Sequence, residues 1–260
     1  MNKKEKNDTN KGFFINTITN IYKEEKSYSD IHTYVPSELV PSYKILLKLI
    51  SEMSCYPTLE GFKCLKKYNK IQFYQNIKNP KLILVGIQET DFSSMNDIYT
   101  IVIQGAMLRG GINKTKRYSE CLKHIIEFQK KYPTDKYDYV GTGISLAGAI
   151  ADLFIDLGYL HEAVTFNSLV ERQFLNRPDI KNYRIYLDDD ILYAGCGQYA
   201  CNTKVYSIHP NKKIFINPIE EFNYLYRVHT LNYKKSSSFP LLKKILLKEE
   251  EENVSNNKGT

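Results

Sequence analysis

The sequence predicts an α/β fold, a mainly parallel sheet with helices on both faces. Short apolar segments alternate with amphipathic ones, the pattern that builds a parallel sheet. One of the short segments, Lys81-Leu-Ile-Leu-Val-Gly-Ile87, is apolar almost throughout. A strand covered on both faces has that composition. The chain has 260 residues, 42% of them hydrophobic, enough for one sizeable core.

The elements follow in order. Residues 1–44 read as a polar arm, with a short helix near Phe13 to Glu25. Ser42 or a neighbour caps a helix running to about Ser54, in which Leu46, Leu49, Ile50 and Met53 keep helical spacing. Pro57 and Gly61 end that region. After the 81–87 strand, residues 88–97 are polar and loop-like. A helix is expected over Ile98 to Leu108, broken by Gly110-Gly111. Ser119 to Lys131 reads as an amphipathic helix with Leu122, Ile125 and Ile126 inward, stopped by Pro133. Tyr137 to Thr142 is a strand. Ser145 to Leu157 is a helix with Leu146, Ala149, Ile150, Leu153 and Leu157 on one stripe, and Gly158 stands at its cap. Ala163 to Asn167 and Tyr183 to Leu187 are strands. Lys204 to Ile208 and Lys213 to Ile216 are short strands that suit a hairpin. Leu241 to Leu247 suits a small helix before an acidic, polar tail. The globular domain is therefore expected at 45–235, with a helix and charged tail over 236–260.

Charge and composition narrow the function. Lys and Arg number 36 against 29 Asp and Glu, a net charge of +7. The lysines are scattered, and no recognition motif accompanies them, so nucleic acid is not an expected partner. No apolar run reaches the roughly 18–20 residues of a membrane span. The N-terminus lacks a secretory h-region, so a cytoplasmic location is expected. The five cysteines are odd in number and not densely spaced, which suits reduced thiols. Cys196, Cys201 and His209 invite a zinc reading. They lack a tight CxxC and an evident fourth ligand, so neither a metal nor a cofactor is expected. The abundance of Lys, Asn, Ile and Tyr is that of AT-rich coding sequence.

The strongest local signal is Thr142-Gly-Ile-Ser145-Leu-Ala-Gly-Ala149, between a strand and a helix. A nucleophile on so sharp a turn takes unusual dihedrals, and small residues must flank it two positions away. Gly143 and Ala147 meet that demand around Ser145. The following helix N-terminus points its N–H groups at whatever forms there. Ser145 as an ordinary helix N-cap is the alternative.

This segment resembles the elbow of the class 3 lipases, the fungal-type branch of the α/β-hydrolases, which reads Thr-Gly-His-Ser-Leu-Gly-Gly-Ala. Further blocks are similar in the same order. Val85-Gly-Ile-Gln-Glu-Thr-Asp91 resembles the family's strand ending in Phe-Arg-Gly-Thr, and Asn96-Asp-Ile98 the Asp-Trp after it. Ala163-Val-Thr-Phe-Asn167 resembles the strand after the elbow helix, and Arg184 to Leu192 the strand leading to the acid. His229-Thr-Leu-Asn-Tyr233 resembles the family's His-Ser-Leu segment. The likeness runs over roughly residues 45–233.

The resemblance implies an α/β-hydrolase-like fold and a serine esterase acting on acyl esters of lipids. Ser145 is then the nucleophile, His229 the base and Asp190 its orienting acid. The N–H of Leu146 and Thr90 form the oxyanion hole. Peripheral contact with a membrane surface is compatible with such a substrate. Asp188 is the reserve acid and His209 the competing histidine. His124 and His161 read as helix-surface and loop residues. Ile144, Ala147 and the Gln88-Glu89 pair depart from the family pattern. Glu89 adds a side chain and a negative charge, which opposes the developing oxyanion if it lies near it and changes little if it points to solvent. These departures define a second expectation, a hydrolase fold retired to a binding or structural scaffold. With an AT-rich large DNA virus as source, that scaffold would be a virion component. The oligomeric state is left open by the sequence.

Overall fold

The computed structural model describes residues 34–88, 111–190, 192–193, 196–206, 220 and 224. The helices expected near 13–25, 98–108 and 241–247, and the strand at 213–216, lie outside the described residues.

Three helices and seven strands are described: α1 (Tyr43–Glu52), β1 (Phe62–Lys67), β2 (Ile71–Asn76), β3 (Leu82–Ile87), α2 (Lys116–Gln129), β4 (Asp138–Ser145), α3 (Leu146–Asp156), β5 (Glu162–Ser168), β6 (Asn182–Leu187) and β7 (Thr203–Tyr206). The strands form one sheet in chain order. The β1–β2 and β2–β3 pairs are antiparallel, and every pair from β3 to β7 is parallel. The fold is mainly parallel α/β, with an antiparallel edge at β1–β2–β3.

Alternating side chains of β3 feed two core layers. Ile83, Val85 and Ile87 pack with Ile125 of α2 and Ile150 of α3. Leu82 and Leu84 pack with Leu46 and Leu49 of α1 on the other face. All five of these β3 side chains are at most 3% exposed. Each contributes about 1.5–3 kcal/mol of burial, so β3 anchors both layers. Helices on both faces follow directly: α1 covers one, α2 and α3 the other.

The antiparallel β1–β2 pair was not expected from the sequence. A polar residue in the core obscures its pattern. Gln72 is fully buried, its amide N–H donating to the Met53 carbonyl at 2.6 Å and its oxygen accepting from the Tyr74 hydroxyl at 2.9 Å. At the sheet edge, Lys63, Lys66 and Lys67 of β1 discourage pairing with another chain.

Helix limits shift for local reasons. α2 begins before the expected Ser119, because Thr115 caps it and accepts from the Tyr118 N–H at 3.2 Å. Tyr118, Cys121, Ile125 and Phe128 make its buried face. Ile126, expected inward, is 38% exposed. Leu157, expected on the α3 stripe, is the C-cap and is 54% exposed. Gly158 follows with φ 75, the left-handed cap conformation. Among the described residues no helix is long and apolar enough to cross a membrane.

Candidate active site

The site is built from the carboxyl ends of β4, β5 and β6. β4 runs past the expected Thr142 to Ser145, and α3 starts at the next residue. Ser145 takes up the reversal with φ 59 and ψ −125. That region is costly for a residue with a Cβ, about 1–3 kcal/mol. An ordinary N-cap has extended dihedrals and a capping side chain. Ser145 has neither.

Neighbouring contacts hold this turn. The Ser145 carbonyl accepts from the Leu169 N–H at 3.0 Å. A Cβ on Gly143 would lie 2.4 Å from the Ala147 Cβ and 3.0 Å from the Ile87 carbonyl oxygen. A Cβ on Gly148 would lie 2.4 Å from that of Ser168. The turn therefore closes only with glycine at both positions. Leu146 opens α3, so its N–H belongs to the first turn, which has no intrahelical acceptor.

Asp190 lies just beyond β6, two strands from Ser145. It is fully buried. Its Oδ1 accepts from the Leu192 N–H at 2.8 Å and the Tyr193 N–H at 3.2 Å, and its own N–H donates to the Leu187 carbonyl at 2.9 Å. The neighbouring acids diverge from it. Asp188 and Asp189 are half-buried, and Asp189 accepts from the Tyr224 hydroxyl. Asn167, at φ 41, closes β5 and accepts from the Leu187 N–H at 3.1 Å. Strand spacing puts about 10 Å between the β4 and β6 lines. That gap suits an imidazole between a serine and a carboxylate.

Thr90, Glu89, His32, His209 and His229 lie outside the described residues. Of the two described histidines, neither joins Ser145 and Asp190. His161 accepts the Tyr139 N–H on Nδ1 at 2.9 Å, at the amino end of β5. His124 stacks on Tyr68 with ring centroids 3.8 Å apart, at the β1–β2 corner.

The cysteines of the zinc reading are both buried. The Cys196 thiol donates to the Leu192 carbonyl at 3.3 Å. Burial, with the Asp190 charge nearby, pushes that thiol up to about 12. A thiol so held is protonated at neutral pH and a poor nucleophile. Among the described residues no three His, Cys, Asp or Glu cluster as a metal site.

Several buried charged groups beside the site escaped sequence reasoning. Arg117 of α2 is 4% exposed and donates to the Gln88 carbonyl at 3.0 Å. Glu171 is fully buried and accepts from the N–H groups of Gly111 and Ile112 at 2.9 and 2.7 Å. Asp152 of α3 pairs with Arg184 of β6 at 2.6 Å. Only Asp152 left a sequence signal, a lone acid within the apolar run Leu146 to Phe154.

No protein-family model and no curated protein matches the chain. Solved structures match at low identity. The Lip2 lipase of Yarrowia lipolytica is 17% identical over 58% of this chain and 66% of its own, with a TM-score of 0.37. This chain thus spans just under two thirds of that lipase's length. A Rhizomucor miehei lipase, in a propeptide complex, is 16% identical over 66% of this chain and 72% of its own, with a TM-score of 0.40. An arylesterase is 12% identical over 90% of this chain and 99% of its own, with a TM-score of 0.31.

Proposed function

We propose that the chain is a serine hydrolase of the class 3 lipase type, cleaving carboxylic esters of lipids. The observation that carries this is Ser145, held at φ 59 on a strand-to-helix turn with a buried carboxylate two strands away. Such strain at a reactive side chain is retained where it serves chemistry.

In this reading the Ser145 Oγ attacks the ester carbonyl, and His229 takes its proton. The tetrahedral oxyanion is held by the Leu146 N–H and by Thr90. The C–O bond to the alcohol breaks as His229 returns the proton to the leaving oxygen. Water, deprotonated by the same histidine, then releases the acid and restores Ser145. Asp190 holds the imidazole in the productive tautomer and stabilises its protonated form. Its Oδ1 is oriented by two backbone N–H groups, which supports Asp190 over the half-buried Asp188. His229 is favoured over His209 by its Thr-Leu-Asn-Tyr context. Expected partners are acyl esters and, through them, a lipid surface. The steps call on no cofactor.

A labelled fluorophosphonate tests this. The wild type should be modified, and Ser145→Ala and His229→Ala should not. Ser145→Ala should lower p-nitrophenyl ester turnover about 10⁶-fold if the triad acts as a unit. Asp190→Asn should lower it about 10⁴-fold. Labelling lost in His209→Ala but kept in His229→Ala would transfer the base to His209. No labelling of well-folded wild type would assign the fold to a retired hydrolase used as a scaffold.

A further inference from the structure

We propose that the buried Asp152–Arg184 pair is a positioning device, fixing the helix that follows Ser145 against the strand that delivers Asp190. This role rests on the serine-esterase reading. Both side chains are fully buried. The Arg184 Nη2 donates to the Asp152 Oδ1 at 2.6 Å. Its Nη1 donates to the Cys201 carbonyl at 2.9 Å and the Asn182 carbonyl at 3.2 Å. The Asn182 amide donates to the same Asp152 oxygen at 2.8 Å, and the Thr165 hydroxyl donates to Asn182 at 2.8 Å. One network therefore joins α3, β5, β6 and the chain entering β7.

Stability alone does not account for this pair. Two buried charges generally contribute no more than apolar side chains of the same volume. Here the Asp152 Oδ2 and the Arg184 Nε have no hydrogen-bond partner, so the pair is not even fully satisfied. Its distinctive property is direction. Apolar contacts do not set direction. The planar guanidinium is held in place by the two carbonyls on Nη1, so its Nη2 meets the single Asp152 oxygen at a set distance and direction. Asp152 stands two turns into the helix that Ser145 precedes, and Arg184 stands on the strand that ends before Asp190. A shift of α3 along β6 would move Ser145 relative to Asp190. One imidazole must reach both, so the register between helix and strand is a catalytic requirement.

The test compares wild type, Arg184→Lys, and the apolar double variant Asp152→Leu with Arg184→Met. Each is assayed for thermal midpoint, fluorophosphonate labelling rate, and kcat and KM on a p-nitrophenyl ester. Lys keeps the charge but reaches fewer of the three acceptors. The folded double variant should label and turn over about 10–100-fold more slowly, as a sub-ångström to ångström misplacement produces, with KM unchanged. Arg184→Lys should fall between the two. Labelling at the wild-type rate in a folded double variant, or in folded Arg184→Lys, overturns the role. Failure of both variants to fold makes the pair purely structural and also overturns it. A wild type that does not label removes the esterase reading first, and this role with it.

Discussion

At Ser145 the backbone sits where only glycine is at ease, so a glycine there should relieve strain at the expense of chemistry. Ser145→Gly is expected to be about 1 kcal/mol more stable than Ser145→Ala, which keeps the Cβ and the strain. Thermal melts of the two variants decide it, and a glycine variant melting at or below the alanine one would locate no strain at this turn. Gly143 makes a sharper case. Its substitution by alanine places a methyl 2.4 Å from the Ala147 Cβ and should cost about 1–3 kcal/mol. Adding Ala147→Gly removes that clash but leaves the 3.0 Å approach to the Ile87 oxygen. The double variant should therefore recover part of the loss, despite glycine's poorer helix propensity; denaturant midpoints below that of Gly143→Ala would contradict the packing argument. The turn was legible in the sequence because its tightest contact, Gly143 against Ala147, is local, whereas the demands of Ile87 on Gly143 and of Ser168 on Gly148 are not. The charged groups around it were not legible. Arg184 meets Asp152 across 32 residues and Arg117 meets Gln88 across 29, and no spacing rule connects such pairs.

Elements were legible where one face repeats in the sequence and illegible where a buried polar residue breaks the repeat. The doubly covered β3 was read almost to the residue because both of its faces are apolar. β2 was missed because Gln72 occupies a core position that only its partners, Met53 and Tyr74, explain, and β1 because its edge lysines leave only Phe62 buried. The same logic applies to Glu162, the first residue of β5, which is 5% exposed. Its carboxylate accepts from the Tyr34 and Ser37 hydroxyls and from the Ser37 N–H at 3.1 Å. Burial and this carboxylate push the Tyr34 phenol well above its ordinary value. The segment before α1 is thus strapped to the amino end of the sheet. Replacing Tyr34 by Phe and Ser37 by Ala together strands a buried carboxylate and should cost about 1–3 kcal/mol. Adding Glu162→Gln, which removes the charge, should restore part of it. An unchanged urea midpoint in the Tyr34/Ser37 variant would show that the strap contributes nothing.

Across the whole molecule, two apolar layers enclose many groups that are neutral when folded but ionise at high pH. Burial raises Cys196 to about 12 from an ordinary 9.0. Burial likewise raises Tyr74, Tyr139 and Tyr186 above an ordinary 10.0. The sign follows from linkage. A group whose folded pKa exceeds its unfolded one stabilises fully below the unfolded value, and that stabilisation is lost as pH rises towards the folded value. The window here opens near 9 for Cys196 and near 10 for the tyrosines. Lysine titration acts in the opposite direction, because the net charge of +7 falls as pH rises and self-repulsion relaxes. The buried groups should dominate, since exposed charges are screened within about 10 Å at ordinary salt. Stability should therefore be level to about pH 8.5 and fall steadily above it. Cys64 and Cys201 are raised by burial too, so Cys196→Ala removes one of several thiol contributions and should make the first part of the fall, between about pH 9 and 10, shallower while leaving the tyrosine part in place. Urea midpoints at closely spaced pH values, measured for both proteins under reducing conditions, read the two parts separately. A wild-type midpoint that is flat or rising to about pH 10.5 would mean that these groups remain solvated in the folded chain.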